Sequence, residues 1–238
     1  LNYQADRFTA LADACVLSSA LKRNILLSFA QAEFYRVRWS NKIMDETERT
    51  IVKLLQRKEI AEPDKGAKRQ RSNMCRAFEE AMVEDFEVLE PSLDGINEKD
   101  RHVLAAAIKT CASVIVTDNL KDFPPEYCAP FDIEPLSADS FFADCISLSP
   151  SETMATLRRM RERLKNPEIT PEKLVTLCEG EAMLKTASLI HEYKAALQNC
   201  SDDRYKKTAF AGSLTLSKDG SDQRPEDTAM ELPFSRVT

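Results

Sequence analysis

The chain's 238 residues leave room for one domain of about 130 to 150 residues and a smaller unit beside it. Its 43% hydrophobic content is enough for a core, and only five glycines argue against a fold built on glycine-rich phosphate loops. No run approaches the roughly 18 apolar residues that a membrane span requires, so no membrane association is expected. The net charge of −6 is local: residues 91–150 carry 4 basic against 10 acidic side chains, whereas 1–90 carry 15 of each and 151–238 carry 14 of each. An acid-rich segment repels RNA unless a cation neutralises it.

In chain order, Leu1 to Arg7 lacks the apolar stretch and small-residue cleavage site of a secretory signal. Phe8 to Leu17 is almost continuously apolar and reads as a strand buried on both faces, interrupted by Asp13. An amphipathic helix follows over Leu21 to Phe34, then a short strand at Tyr35 to Trp39. Ser40 is placed to cap a helix over Asn41 to Leu55 with its stripe at Ile43, Met44, Ile51, Leu54 and Leu55. A cation-rich helix is predicted over Ala67 to Met82, a strand over Phe86 to Leu89, and a helix over Glu98 to Cys111 capped by Asn97. Ser113 to Thr117 and Ile133 to Leu136 read as further strands, and Ala138 to Cys145 as a helix.

Strands alternating with helices predict an α/β fold with an open, mainly parallel sheet, whose ligands gather beyond the carboxyl ends of the strands. At Ser149 the pattern becomes purely helical: Ser149-Pro150-Ser151-Glu152 has the form of a capping box, and Thr170-Pro171 opens a second helix. The expected organisation is an α/β domain over 1–148, a helical extension over 149–198 and a disordered tail over 199–238. Seven cysteines without a C-x-x-C spacing point to a reducing, cytoplasmic setting rather than to disulfides or a zinc ribbon.

The chemistry-bearing residues are acids. Asp13 lies inside an apolar run, where a charge is costly unless it is paired or bound to metal. Glu46 stands on a helix, three residues before Arg49, Asp100 at a helix start, and Asp118 and Asp122 after a strand. Singly, each has an ordinary reading: Asp100 as a helix-dipole acid, Glu46 as a surface partner of Arg49. Together they are costly, because two carboxylates about 5 Å apart repel by roughly 3 kcal/mol at an effective dielectric near 20. Oxygen-only ligation of this kind suits Mg²⁺ or Mn²⁺. Such an ion activates water and stabilises charge on a scissile phosphate. His102 and His191 are too few for a histidine-rich site and read as packing or surface residues. Two basic runs, Lys65 to Arg76 and Arg158 to Lys165, are candidates for contacts with an RNA backbone.

Four blocks, taken together, resemble a known family. D-A-C-V-L from Asp13, W-S-x-x-I-x-D-E-x-x-R from Trp39, N-E-K-D-R-H-V-L-A-A-A from Asn97 and V-T-x-N-x-K-D-F-P from Val116 are similar to PIN domains of the VapC toxin type. The resemblance runs from about Phe8 to Cys145. It implies a three-layer α/β/α fold, a ribonuclease site with Mg²⁺ or Mn²⁺ at Asp13, Asp100 and Asp122, and Glu46 as a further ligand or water-orienting base. Thr117, Asn119 and Arg49 would support the site. Asp118 falls where the family pattern varies and ranks below Asp122, although its position at a strand end also suits a metal ligand. The resemblance also implies an RNA substrate, a cognate antitoxin and a homodimer. Two other readings are a non-catalytic PIN-like binding module and a receiver-like phosphoacceptor domain. An intact acid set disfavours the first. Glu46 on a helix, and no lysine closing a late strand, disfavour the second.

Overall fold

The computed structural model describes residues 8–164 and 168–197; the predicted tail lies outside them. Five parallel strands, β1 (Thr9–Ala12), β2 (Arg36–Ser40), β3 (Met82–Val83), β4 (Val114–Val116) and β5 (Glu134–Leu136), form one sheet in the order β3-β2-β1-β4-β5. The strand order reverses between β1 and β4, which is the crevice where parallel sheets open for a ligand. Ala12 stands opposite Val116 in the register, so the next residues, Asp13 and Thr117, leave the sheet side by side.

The helices α1 (Ala14–Ser18) and α2 (Ala20–Gln31) carry the chain from β1 to β2, and α3 (Asn41–Arg57) and α4 (Pro63–Ala77) carry it to β3. On the return, α5 (Arg101–Lys109) precedes β4, a short α6 (Pro125–Cys128) precedes β5, and α7 (Ala138–Leu148) follows it. The two directions of travel, with right-handed crossovers, put α2 and α5 on opposite faces of the sheet, giving three layers. Helix α5 packs on β1, β2 and β4, while α2 packs on β2 and meets α7. The layer between α2 and α7 is aromatic: Tyr35 lies 4.9 Å from Phe141 and Phe29 lies 6.1 Å from Phe142, centroid to centroid. Buried Tyr35 satisfies its hydroxyl by donating to the Leu26 carbonyl at 2.7 Å.

Beyond α7 come α8 (Pro150–Arg163), α9 (Pro171–Gly180) and α10 (Leu184–Glu192), then a 3₁₀ turn at Lys194–Leu197. Met154, Leu157, Met160, Leu174, Cys178, Ile190 and Leu197 are buried in the same core as the sheet, since three short helices cannot enclose such a face alone. Buried Arg161 donates to the carbonyls of Ile169 and Leu197, at 2.9 Å each. Asp139, at the start of α7, accepts the N–H groups of Lys185 and Thr186 at 3.0 and 2.8 Å and so caps α10.

Several local expectations are corrected. The apolar run from Phe8 is a strand only to Ala12; Asp13 N-caps α1, and Val16 and Leu17 are buried on that helix. A short run buried all round has no periodicity that separates strand from helix. Phe86 to Leu89 is not a strand. Asp85 at φ 56° turns the chain, a 3₁₀ segment with Pro91 follows, and the edge strand is the two-residue Met82–Val83. The capping box at Ser149 does not form; its carbonyl accepts from the Thr153 N–H and hydroxyl instead. Helix α5 begins at Arg101, because the Asn97 carbonyl takes the N–H groups of Asp100 and Arg101 in a preceding turn.

Candidate active site

The four acids are delivered from four places. Asp13 follows β1, Glu46 rises from the second turn of α3, Asp100 stands just before α5, and Asp122 ends a 3₁₀ turn after β4. Helix α3 starts where it does because the Ser40 hydroxyl accepts the Ile43 N–H at 3.3 Å, which fixes the rotation of Glu46 about the helix.

Asp13 is 7% exposed and well supplied with donors. It accepts from the Thr117 hydroxyl at 2.7 Å, the Ala14 N–H at 2.6 Å and the Cys15 thiol at 3.2 Å. Its own N–H extends the sheet ladder to the Val116 carbonyl at 3.0 Å. Fully buried Thr117 also accepts the Asn119 N–H at 3.1 Å, so one hydroxyl ties the turn carrying Asp122 to the Asp13 carboxylate.

Asp100 occupies a cap position, yet its side chain makes no capping bond. Its carboxyl pKa is raised from its ordinary value, first by burial and then by the negative charges of Asp122 and Asp13, with Glu46 adding to them and His102 opposing. These mutual effects place the four acids in one electrostatic neighbourhood. Among the described residues no three His, Cys, Asp or Glu side chains converge closely enough to enclose a metal ion by themselves.

Asp118 is placed differently from Asp122. Its carboxylate meets the Lys22 ammonium at 2.8 Å and accepts the Ala138 N–H at 3.3 Å, tying α2 and α7 to the end of β4. Asp122 is half-buried, its N–H donating to the Asn119 carbonyl at 2.9 Å. Arg49 is 70% exposed and 4.0 Å from Glu46. Asp45, on the neighbouring face of α3, pairs with Arg71, which also reaches Glu48 at 3.2 Å.

Three residues escape the sequence reading. His102, read as packing or surface, is 2% exposed, and its Nε2 lies 3.6 Å from Glu46 Oε2. Cys15, which stands in an apolar run, bridges Asp13, Thr117 and the Asp118 N–H. Burial, and next the Asp13 charge, push its thiol up to about 12, so it stays protonated and donates. Lys22 is the third, through Asp118. Their only local signal is a two-residue offset of Cys15 and His102 from Asp13 and Asp100.

The two basic runs divide. In the first, Lys65 meets Glu62 at 3.2 Å and Arg71 is held by acids of α3, while Lys68 and Arg69 are exposed on α4. In the second, Arg161 is a buried tie within the extension, and Arg163 donates to Ser28 at 3.1 Å and Gln31 at 3.2 Å on α2. These two cations serve packing between helices.

Residues 138–192 match the model of the VapC50 C-terminal domain. A Mycobacterium tuberculosis (strain ATCC 25618 / H37Rv) protein named "Putative ribonuclease VapC50" is 43% identical to this chain over 77 residues, 32% of this chain and 46% of that protein. Over these stretches the chain is similar to VapC-type proteins. The alignment spans less than half of that VapC relative's length. No solved structure matches the chain. The VapC50 C-terminal match opens with α7, so it takes in the helix that lines the aromatic layer as well as α8, α9 and α10. Among the described residues no helix is long and apolar enough to cross a membrane.

Proposed function

We propose that the chain is a divalent-ion-dependent endoribonuclease, the toxin half of a toxin–antitoxin pair, acting in the cytoplasm. The observation that carries this reading is the state of Asp100: a partly buried carboxyl repelled by Asp122, Asp13 and Glu46. Among the described residues no lysine or arginine forms an ion pair with Asp13, Asp100 or Asp122. A negative centre of this kind is completed by a cation, and all-carboxylate donors suit Mg²⁺ or Mn²⁺. Mg²⁺ keeps several of its waters, so the acids of such a centre hold it partly through water-mediated contacts.

Asp13, Asp100 and Asp122 are the ligands in this reading, with Glu46 as a further ligand or as the base that orients the attacking water. The bound ion supplies charge stabilisation at the scissile phosphate and an activated water. Thr117 fixes the Asp13 carboxylate, and the Asn119 backbone fixes the turn before Asp122. Asp118, engaged by Lys22, is a structural acid rather than a ligand. Lys68 and Arg69, exposed on α4, are candidates for contact with an RNA backbone. A cognate antitoxin and a homodimer complete the proposal: the relative's VapC name supports the first, and the second follows from the family resemblance alone.

The test is cleavage of a mixture of tRNA, rRNA and mRNA fragments by metal-stripped protein, with and without added Mg²⁺ or Mn²⁺. Cleavage restored by the ion and lost in Asp122→Asn is expected. Cleavage that persists in excess chelator, or RNA binding without cleavage at any ion concentration, overturns the proposal; the second outcome identifies a binding module.

A further inference from the structure

We infer that His102 is a positioning residue for Glu46: its Nε2–H, buried and aimed at the carboxylate, fixes how Glu46 presents its oxygens to the acidic centre. The inference rests on the reading of that centre given under Proposed function. His102 lies in the first turn of α5, and only 2% of it is exposed. Its Nε2 has no hydrogen-bond partner within 3.5 Å, and Glu46 Oε2 stands 3.6 Å away.

A buried N–H left without an acceptor is costly, because its water partner is lost and not replaced. Glu46 is 37% exposed at its side chain and has room to move the few tenths of an ångström that close the bond. The two Glu46 oxygens face different partners. Oε1 is 4.0 Å from Arg49, a side chain 70% exposed to water whose Nε donates to the Asp45 carbonyl at 3.2 Å. Oε2 faces an imidazole locked by packing. The second contact, shielded from water, is the one that holds the carboxylate in one orientation, in the way an outer-shell hydrogen bond orients a metal ligand or a catalytic base. Nothing in the packing requires an imidazole here, since an apolar side chain of similar size would fill the space without an unpartnered N–H.

Two substitutions separate orientation from packing. His102→Leu keeps the volume and removes the donor; His102→Gln places an amide N–H near the position of Nε2. Loss of the donor in His102→Leu lowers both kcat/KM for RNA and the affinity for Mn²⁺ by about 10–100-fold, and His102→Gln recovers most of it. The opposite order, with leucine at wild-type level and glutamine impaired, overturns the inference. The imidazole ¹⁵N spectrum of the metal-free protein decides even where a variant fails to fold. An Nε2–H tautomer whose proton shifts on Glu46→Gln is expected, and a spectrum unchanged by Glu46→Gln rejects the contact. Wild-type protein that neither binds Mn²⁺ nor cuts RNA sinks the reading of the centre, while the spectrum still judges His102.

Discussion

The Thr117 hydroxyl donates to the Asp13 carboxylate across 2.7 Å, joining the ends of β1 and β4 where the strand order reverses. Residues 104 positions apart in the chain meet there because Ala12 and Val116 are in register. A hydrogen bond to a charged acceptor in a buried setting contributes about 1.5–3 kcal/mol. Thr117→Val keeps the shape and removes the donor, so it should lower the unfolding free energy by about that amount. Urea denaturation measures it, and a loss below about 0.5 kcal/mol would show that Asp13 is satisfied without Thr117.

Asp100 should respond in the opposite sense. Its folded-state pKa is raised by burial and by neighbouring acids, so its ionised form is disfavoured by folding. The neutral form's contribution to stability is fully present below the ordinary carboxylate range and is lost as pH rises through the raised value. Asp100→Asn makes that neutral state permanent. The variant should melt higher than wild type near pH 7, and the gain should fade as pH falls below the ordinary carboxylate range. Calorimetric melting curves across pH 3–8 are the check; a variant that melts lower than wild type at pH 7 contradicts the electrostatic account.

Asp118 and Asp122 should separate by property rather than by degree. Asp118→Asn weakens the contact with Lys22, a pair whose side chains are 32% and 13% exposed, and should cost about 1 kcal/mol of stability while most RNA cleavage remains. Asp122→Asn removes a proposed ligand and should abolish cleavage without lowering the melting temperature. Equal losses of cleavage in the two variants would mean that both acids serve the ion.

Part of this was legible in the sequence for physical reasons. A carboxylate in the run around Asp13 is hard to place unless it has a special partner, and the parallel sheet follows from strands alternating with helices. His102 and Cys15 were not legible as site residues. A histidine beside apolar neighbours and a cysteine in an apolar run look like packing until the chain brings Glu46, 56 positions away, and Thr117, 102 positions away, against them. The edge strand β3 escaped because two paired residues leave no alternation to read, and Ser149 because its carbonyl, rather than its hydroxyl, meets the next turn. Arg161 and Arg163 in a basic run look like a solvated face; the sequence does not reveal that one of them is buried under Leu197.

The most direct test of the central claim, that Asp13, Glu46, Asp100 and Asp122 act as one divalent-ion centre, is calorimetric titration of Mn²⁺ into metal-free protein at pH 7. The wild type should bind Mn²⁺, and Asp100→Asn should lose affinity by at least about tenfold, roughly the 1.4 kcal/mol that one ligand supplies at minimum. Unchanged binding in Asp100→Asn, or heat only from sites that Asp13, Asp100 and Asp122 substitutions leave intact, would contradict the account.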